Sequence, residues 1–594
     1  MSTHGRSKTR REFLRDGAIL GAAASVGPGL LAACGTSSSG TSGVAKSGRP
    51  SRKNTLFVSG WQSSPPVNFN PLAARPDWPN AFPTAAGQHM LVYESLFGFD
   101  TLSGGIKPVL GKSVSYPDAT TAVVQLHPEA HWQDGKALTA DDVVYTFRLA
   151  KEHSDLNYAT VWTYVSDVVK KDDHTVQFAL NPDNVNSGQL RHFLATVPIL
   201  PQHVWTAVES KSGSLLSQVD MKPVGSGPFK LYDQNQQRIA LVRDDSYWGK
   251  GVYGVPAPAY LIHPILKSND DISLAFQSGE LDYSQSFIPQ IWQMWEQKHL
   301  PVSTWLRQPP YHLPGSIPLL LLNVHRKGLD NVNVRRALAH AIDYEQIAAT
   351  AMSRYSVPAR ASLVIPDGPE KKFFASNQAQ QMGWAHDPQK AVQLLESAGA
   401  TKGGDGIYRL PDGTRLGPWK LQCPYGWTDW MTSLQVVQQS AKAVGIELTT
   451  NFPEVPQFFE SVYSGDYDMV QFFVTGLDPS APWARFRDVL DSRGVPPIGQ
   501  SAFWDTNRFS DPSVPSLLGR AGAAASSDVT RLFAQLDAVF QNNVPAIPLE
   551  YRPFEFFEYN ETAWTGFPNS KNPYAPPTMS GAGVRWLFKV RTKG

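Results

Sequence analysis

From residue 319 to residue 551, short apolar runs of strand length alternate with segments whose apolar residues recur at helical spacing. Leu319-Leu320-Leu321-Leu322, Trp419–Gln422 and residues 446–450, 468–474 and 546–551 read as strands. Residues 333–348, 388–398 and 435–444 carry the helical period, and Gly399 and Gly445 stand where a C-terminal cap belongs. Helices interleaved with strands predict a mixed or parallel sheet with helices packed on it, because parallel neighbours need a long crossover. The chain is therefore α/β. Its first half holds the strand Thr55–Ser59 and helical spacing over 88–97. Residues 113–116 with Thr121–Leu126, and 165–169 with Thr175–Leu180, read as hairpins. Thr139 caps a helix running to about Ala150, residues 230–232 form a strand, and residues 271–278 form a short helix ended by Gly279. No internal repeat is present.

Composition narrows the functional classes. With 42% hydrophobic residues in 594, the chain can bury a large core. Lys and Arg total 53 against 52 Asp and Glu, so no overall basic field points to nucleic acid. Two cysteines, Cys34 and Cys423, exclude a disulfide framework and a cysteine-rich metal cluster. The amino terminus reads as an address. Arg6, Lys8, Arg10, Arg11 and Arg15 precede an apolar run over 18–33 that is too short for a membrane span. Thr9-Arg10-Arg11-Glu12-Phe13-Leu14 looks like a twin-arginine export signal. Leu31-Ala32-Ala33-Cys34-Gly35 resembles a lipoprotein cleavage site, with Cys34 the lipidated residue. Residues 1–33 are then the signal peptide, and the Gly/Ser-rich stretch over 34–52 is a flexible tether.

Catalytic signatures fail. The run from Gly105 to Gly111-Lys112-Ser113 is one residue too long for a phosphate loop, contains Pro108 and precedes a strand. Gly225-Ser226-Gly227 lacks the spacing of a nucleophile elbow. Pro128 breaks the helix that would pair His127 with His131 on a metal, and Cys423 reads as a small core residue. No cofactor and no metal are expected.

Ordered motifs then resemble a family. Asn68-Phe69-Asn70-Pro71, Tyr93-Glu94-Ser95-Leu96 and the long run Trp132-Gln133-Asp134-Gly135-Lys136-Ala137-Leu138-Thr139-Ala140-Asp141-Asp142-Val143 lead. Ile199-Leu200-Pro201-Gln202-His203-Val204-Trp205, Gly225-Ser226-Gly227-Pro228-Phe229 and Gln277-Ser278-Gly279-Glu280-Leu281-Asp282 follow in order. Residues 332–343 and 394–399, with Gly465-Asp466-Tyr467-Asp468, complete it. Over 54–590 the chain resembles the family 5 extracytoplasmic solute-binding proteins of ABC importers, the oligopeptide, dipeptide and nickel-binding type. The resemblance implies a two-lobed periplasmic-binding-protein-like fold (type II, cluster C) with an extra inserted α+β subdomain. Lobe one would be 53–90, 223–318 and 546–594, the inserted subdomain 91–222, and lobe two 319–545. Strands near 319–323 and 546–551 would be the hinge. Trp132, Asp134, Asp142 and Arg335 would be scaffold. The protein would be a non-catalytic, monomeric receptor, lipid-anchored outside the cytoplasmic membrane, that hands a small solute to ABC permease subunits.

The ligand is the open question. Peptide-binding members carry an aspartate for the peptide's amino group where this chain has Thr475, with Asp478 three residues away. Residues 476–483, with Trp564-Thr565-Gly566-Phe567-Pro568 and Asn572-Pro573-Tyr574-Ala575, resemble the branch that binds β-linked oligosaccharides such as cello-oligosaccharides. Sugar rings stack on tryptophan, and their hydroxyls need polar partners. Trp427, Trp430, Trp483 and Trp61 are the candidate platforms, each of which can equally be core. Asn68 and Asn70 are candidate polar contacts or turn residues. Trp427 and Trp430 are expected in a loop after the strand Trp419–Gln422. Oligopeptide capture is the alternative within the class. A secreted glycoside hydrolase is the alternative outside it, and would need paired carboxylates in the cleft.

Overall fold

The computed structural model describes residues 50–60, 65–66, 68–72, 90–211, 213–502, 504–524 and 526–593. Three sheets organise them. A seven-stranded sheet runs Val302–Thr304, Glu558–Asn560, Tyr283–Ser284, Thr55–Ser59, Tyr260–Pro264, Arg238–Arg243, Phe229–Gln234. Thr55–Ser59 is parallel to both neighbours and the remaining pairs are antiparallel. A five-stranded sheet runs Leu448–Asn451, Trp419–Gln422, Met469–Phe472, Leu319–Leu322, Ala546–Pro548. A four-stranded antiparallel sheet, Gly111–Asp118, Thr121–Leu126, Thr175–Leu180 and Val165–Asp172, carries the helix Ala140–Glu152.

The four consecutive leucines follow from burial on both faces. Leu319 and Leu321 join one core with Phe472 and Phe540, while Leu320 and Leu322 join another with Leu338 and Leu434. A strand covered on both sides has no solvent face and loses the usual alternation. The Trp132–Val143 motif is scaffold, as expected. Asp142 accepts from the Thr139 amide (2.9 Å), the Gln202 amide (2.9 Å) and the Trp132 indole (3.4 Å), and so closes a capping box and ties a loop to the helix. Arg335, buried, donates to the carbonyls of Leu329, Asn543 and Val544.

Four expectations are corrected. Residues 90–97 are not helical, because their carbonyls bond elsewhere. Leu91 accepts from Phe229, Val92 from Gly227 and Glu94 from Ile199. The helix expected over 333–348 breaks after Ala341, where Ile342 turns extended and Asp343 caps a new turn at the Gln346 amide. The helix expected to begin at residue 435 begins at Thr428. Ala546–Pro548, expected to open the last piece of lobe one, is an edge strand of the five-stranded sheet, paired with Leu319–Leu322. Strand propensity set the local structure correctly in this last case, but pairing partner is not written in local pattern.

Gly225-Ser226-Gly227 passes hard against the extended segment at Leu91-Val92. A Cβ on Gly225 would lie 1.8 Å from the Val92 carbonyl oxygen, and one on Gly227 2.5 Å from that of Leu91. Gly225→Ala should therefore lower stability by at least about 3 kcal/mol, the upper range for overpacking, since backbone cannot yield as a side chain does. Denaturant titration checks this; an unchanged midpoint would contradict the packing described.

Candidate functional site: the cleft between the two large sheets

Two chain segments cross between the large sheets, over 312–318 and 549–557. They run antiparallel and are bonded to each other. The amides of Gly315 and Ser316 donate to the Arg552 carbonyl (both 2.9 Å), the Arg552 amide returns to Ser316 (3.1 Å), and the Leu549 amide donates to Pro318 (3.1 Å). Glycine is required at 315, where a Cβ would come within 2.2 Å of the Phe554 amide nitrogen. The strands expected at the hinge, Leu319–Leu322 and Ala546–Pro548, adjoin these two crossing segments.

Against this crossing lies a cavity of about 100 Å3. Trp305, His312, Phe554 and Phe557 wall it from the crossing side, and Leu477 with residues 367–369 from the other. Thr101 and Leu102, in the turn between Phe97–Asp100 and Gly105–Pro108, close one edge. Arg485 fixes the two facing loops. It is fully buried and pairs with Glu370 through both nitrogens (2.8 and 2.9 Å). It also donates to the carbonyls of Leu363, Thr475 and Gly476. One guanidinium therefore holds both 363–370 and 475–476 in place beside the cavity.

Buried carboxyls surround the crossing without leaving free charge. Burial, then the neighbouring charge of Asp429, push Glu550 well above the carboxylate range; burial does the same to Glu558. Both shifts favour the neutral acid. Arg552 is balanced by Asp429 (Nε to Oδ2 3.3 Å) and lies over the Phe556 ring at 4.6 Å. Gln471 donates to Glu550 (3.3 Å). Gln471 Oε1 and Trp430 Nε1 are buried with no hydrogen-bond partner among the described residues.

The sequence candidates fall at different places. Trp427 and Trp430 are not in a loop: Trp427 is the N-cap of the helix Thr428–Ala443 and Trp430 sits in its first turn. Trp427 is half-buried, its ring 4.8 Å from that of Trp430, which is buried beside Phe473. The adjacent Thr428 hydroxyl accepts from Asn269 (3.3 Å), a contact between the first residues of the helices Asn269–Gln277 and Thr428–Ala443. Trp483 is core: its indole donates to Leu518 (2.8 Å) and its ring meets Tyr164 edge-on at 6.0 Å. Asn68 and Asn70 are clasps. Their amides donate to the carbonyls of Gln218 and Leu215, and their oxygens accept from Asn70, Asp220 and Leu72, which leaves little capacity for a ligand. Trp61, Cys34, Arg10 and Arg11 lie outside the described residues. Thr475 is bonded to Asp488, and Asp478 to His192 at 2.7 Å, so neither is free for an amino group. Trp564 and Phe567 are core, the first donating to the Thr55 carbonyl and the second stacked on Tyr559. Sequence reasoning missed Trp305, His312, Phe554 and Phe557. The one usable signal was the aromatic run Phe554-Glu555-Phe556-Phe557 directly after an expected hinge strand.

Among the described residues no helix is long and apolar enough to cross a membrane, and no three His, Cys, Asp or Glu are placed to hold a metal ion. The solved structure of a mannohexaose-bound periplasmic oligopeptide-binding protein from Thermotoga maritima superposes with a TM-score of 0.83 at 28% identity, covering 92% of this chain and 100% of that one. AppA of Bacillus subtilis, solved with a nonapeptide, superposes at 0.72 and 21% identity over 92% and 100%, which speaks for the fold alone. In sequence, a probable peptide-binding protein, YejA of Agrobacterium fabrum, is 26% identical over 76% of this chain and 78% of its own length. The model of the bacterial extracellular solute-binding proteins, family 5, matches residues 105–494, and the chain belongs to that family of ABC-importer receptors.

Proposed function

We propose that the protein captures a β-linked gluco- or manno-oligosaccharide in this cleft and delivers it to an ABC permease without acting on it chemically. The observation that carries the reading is the character of the cleft. Aromatic rings wall the cavity, the buried acids Glu550 and Glu558 are driven toward the neutral form and Arg552 is balanced by Asp429, so the one exposed carboxylate in the lining is Asp367. Burying an unpaired charge is costly, whereas a neutral sugar needs stacking faces and hydroxyl partners. The mannohexaose-bound relative supports the same reading. Lobe one is taken as 53–90, 223–318 and 549–594, with 91–222 inserted, and lobe two as 319–548. Trp427 and Trp430, where Thr428 meets Asn269, are kept as a second stacking platform further along the cleft. Oligopeptide capture is the second reading, favoured by the probable peptide-binding relative.

Calorimetry with manno- and cello-oligosaccharides and with di- to pentapeptides tests the choice. Sugar binding with intact sugar recovered, and no tight peptide binding, is the expected result; micromolar peptide binding with no sugar response would reverse it, and shortened sugar products would mean an enzyme. Anchoring is proposed through Cys34 after export by the Arg10-Arg11 signal. Cys34→Ala should move the protein from the membrane fraction to the soluble exported fraction, because no single weak contact replaces several acyl chains. Retention on the membrane after a salt wash would count against the anchor.

A further inference from the structure

Between two adjacent residues the chain leaves one hydrophobic core and enters another. Ile347 and Ala351 belong to the core of the five-stranded sheet, with Leu338 and Leu434. Met352 and Tyr355 belong to a separate core with Phe276, Ile288, Met294 and Val302, all from the segment assigned to lobe one. Met352 is fully buried and Tyr355 is 3% exposed. The segment Met352–Tyr355 of lobe two is therefore seated inside lobe one, and the seat adjoins the crossing. Four rings box Tyr355 edge-on: Phe287 at 5.7 Å, Tyr311 at 5.8 Å, His312 at 5.0 Å and Phe556 at 6.1 Å. The Tyr355 hydroxyl is bonded in both directions to lobe-one backbone, donating to the Ile288 carbonyl (2.6 Å) and accepting from the Ile291 amide (2.7 Å). At the surface the Arg354 guanidinium lies 3.9 Å over the Trp292 ring and covers the seat. Past the seat the chain is tied to the second crossing segment. The Ser356 hydroxyl accepts from the Tyr551 amide (2.9 Å), and the Tyr551 hydroxyl accepts from the Arg360 amide (3.1 Å).

The segment reaches this seat through unfavourable backbone. Ser353 and Arg354 are consecutive residues in the left-handed region, at φ 48° and 64°. A side chain makes that region costly, so two such residues in a row persist only where the surroundings over-determine them. Here the surroundings do. Withdrawing the segment would expose the Met352 and Tyr355 side chains to water and leave the Ile288 carbonyl and the Ile291 amide unpaired.

We propose that Met352–Tyr355 is a fixed pivot, a third tie between the lobes that stays seated while the cleft opens and closes. The two crossing segments, bonded to each other, form a ribbon that can both bend and twist. A third attachment beside the ribbon suppresses the twist and leaves one axis of rotation, so the loops held by Arg485 return to the same place at each closure. The pivot depends on the lobe boundaries taken above and not on which solute is bound, so it and the sugar reading stand or fall separately.

Native-state hydrogen exchange on the full chain without ligand, beside X-ray scattering, tests the pivot. In the parent, the Ile291 amide should exchange within about tenfold of the amides of the central strand Thr55–Ser59, because a seated Tyr355 covers it at every lobe angle. Tyr355→Phe removes the acceptor and keeps the ring. It should speed exchange at Ile291 about tenfold and leave Thr55–Ser59 and the radius of gyration unchanged. The double variant Met352→Ser with Tyr355→Ser empties the seat. Exchange at Ile291 should rise about a hundredfold or more, and the radius of gyration should grow while the strands of both large sheets stay protected. Met352→Ala is read in the same way should the double variant not fold. Exchange at Ile291 in the parent more than about a hundredfold faster than in Thr55–Ser59 overturns the pivot, because the segment then leaves its seat in ordinary motion. So does a parent-like radius in a variant whose Ile291 amide has lost protection, which would make Met352 and Tyr355 packing residues only. Unchanged exchange at Ile291 in Tyr355→Phe would mean that the hydroxyl does not seal the seat, and counts against it as well.

Discussion

Arg485→Met is expected to lower the stability of the five-stranded lobe by about 3–5 kcal/mol, the range for breaking one side of a buried ion pair. Arg485 is fully buried and Glu370 nearly so, and the two are joined by two parallel bonds. Methionine fills much of the space but leaves the Glu370 carboxylate without its cation, and leaves the carbonyls of Leu363, Thr475 and Gly476 without a donor. Those partners belong to the two loops facing the cavity, so solute affinity should fall as well. The double variant Arg485→Met with Glu370→Leu should recover part of the stability, because no lone buried charge remains. It should not recover affinity, because the loops stay untied. Urea denaturation of the three proteins decides this. A single variant as stable as the parent would mean that the pair contributes nothing, and recovery of both properties in the double variant would separate Arg485 from the cleft.

Trp305→Ala should weaken solute binding by about 2 kcal/mol, roughly thirtyfold. Trp305 lines the cavity, is nearly buried, and stands edge-on to Phe557 at 6.5 Å. A large flat ring lining a cleft is the kind of contact that dominates affinity, and alanine removes that ring surface from a sugar face. Trp305→Phe should keep part of the affinity by keeping a ring. Trp427→Ala is expected to act in the same direction but less, since its ring is only half-buried at the far contact. Equal loss in the phenylalanine and alanine variants would point to displaced backbone rather than lost stacking. No loss in either would remove Trp305 from the site.

How much was legible differs by scale. Strands at Thr55–Ser59, Leu319–Leu322 and Trp419–Gln422, the capped helix from Ala140 and both hairpins are readable because they rest on short-range pattern: period, caps and turns. Residues 90–97 have helical spacing and are not helical, because Gly227, Phe229 and Ile199 take the carbonyls a helix would use. Asn68 and Asn70 looked available in sequence and are consumed by Leu215, Gln218 and Asp220, about 145 to 152 residues away. Trp483 and Trp430 were chosen by residue type, and type alone does not separate a buried indole from a cleft wall.

The sequence by itself determined the α/β class, the family with its ordered motifs and two-lobed plan, and the local elements that build the sheets. Local pattern and motif order survive without coordinates because each depends on residues a few positions apart. Only the tertiary structure decided that Ala546–Pro548 pairs with Leu319–Leu322, that the crossing lies at Ser316 and Arg552, and that Trp305, His312, Phe554 and Phe557 share one cavity. Those facts join residues some 240 positions apart, and they are set by which faces bury together rather than by any period along the chain.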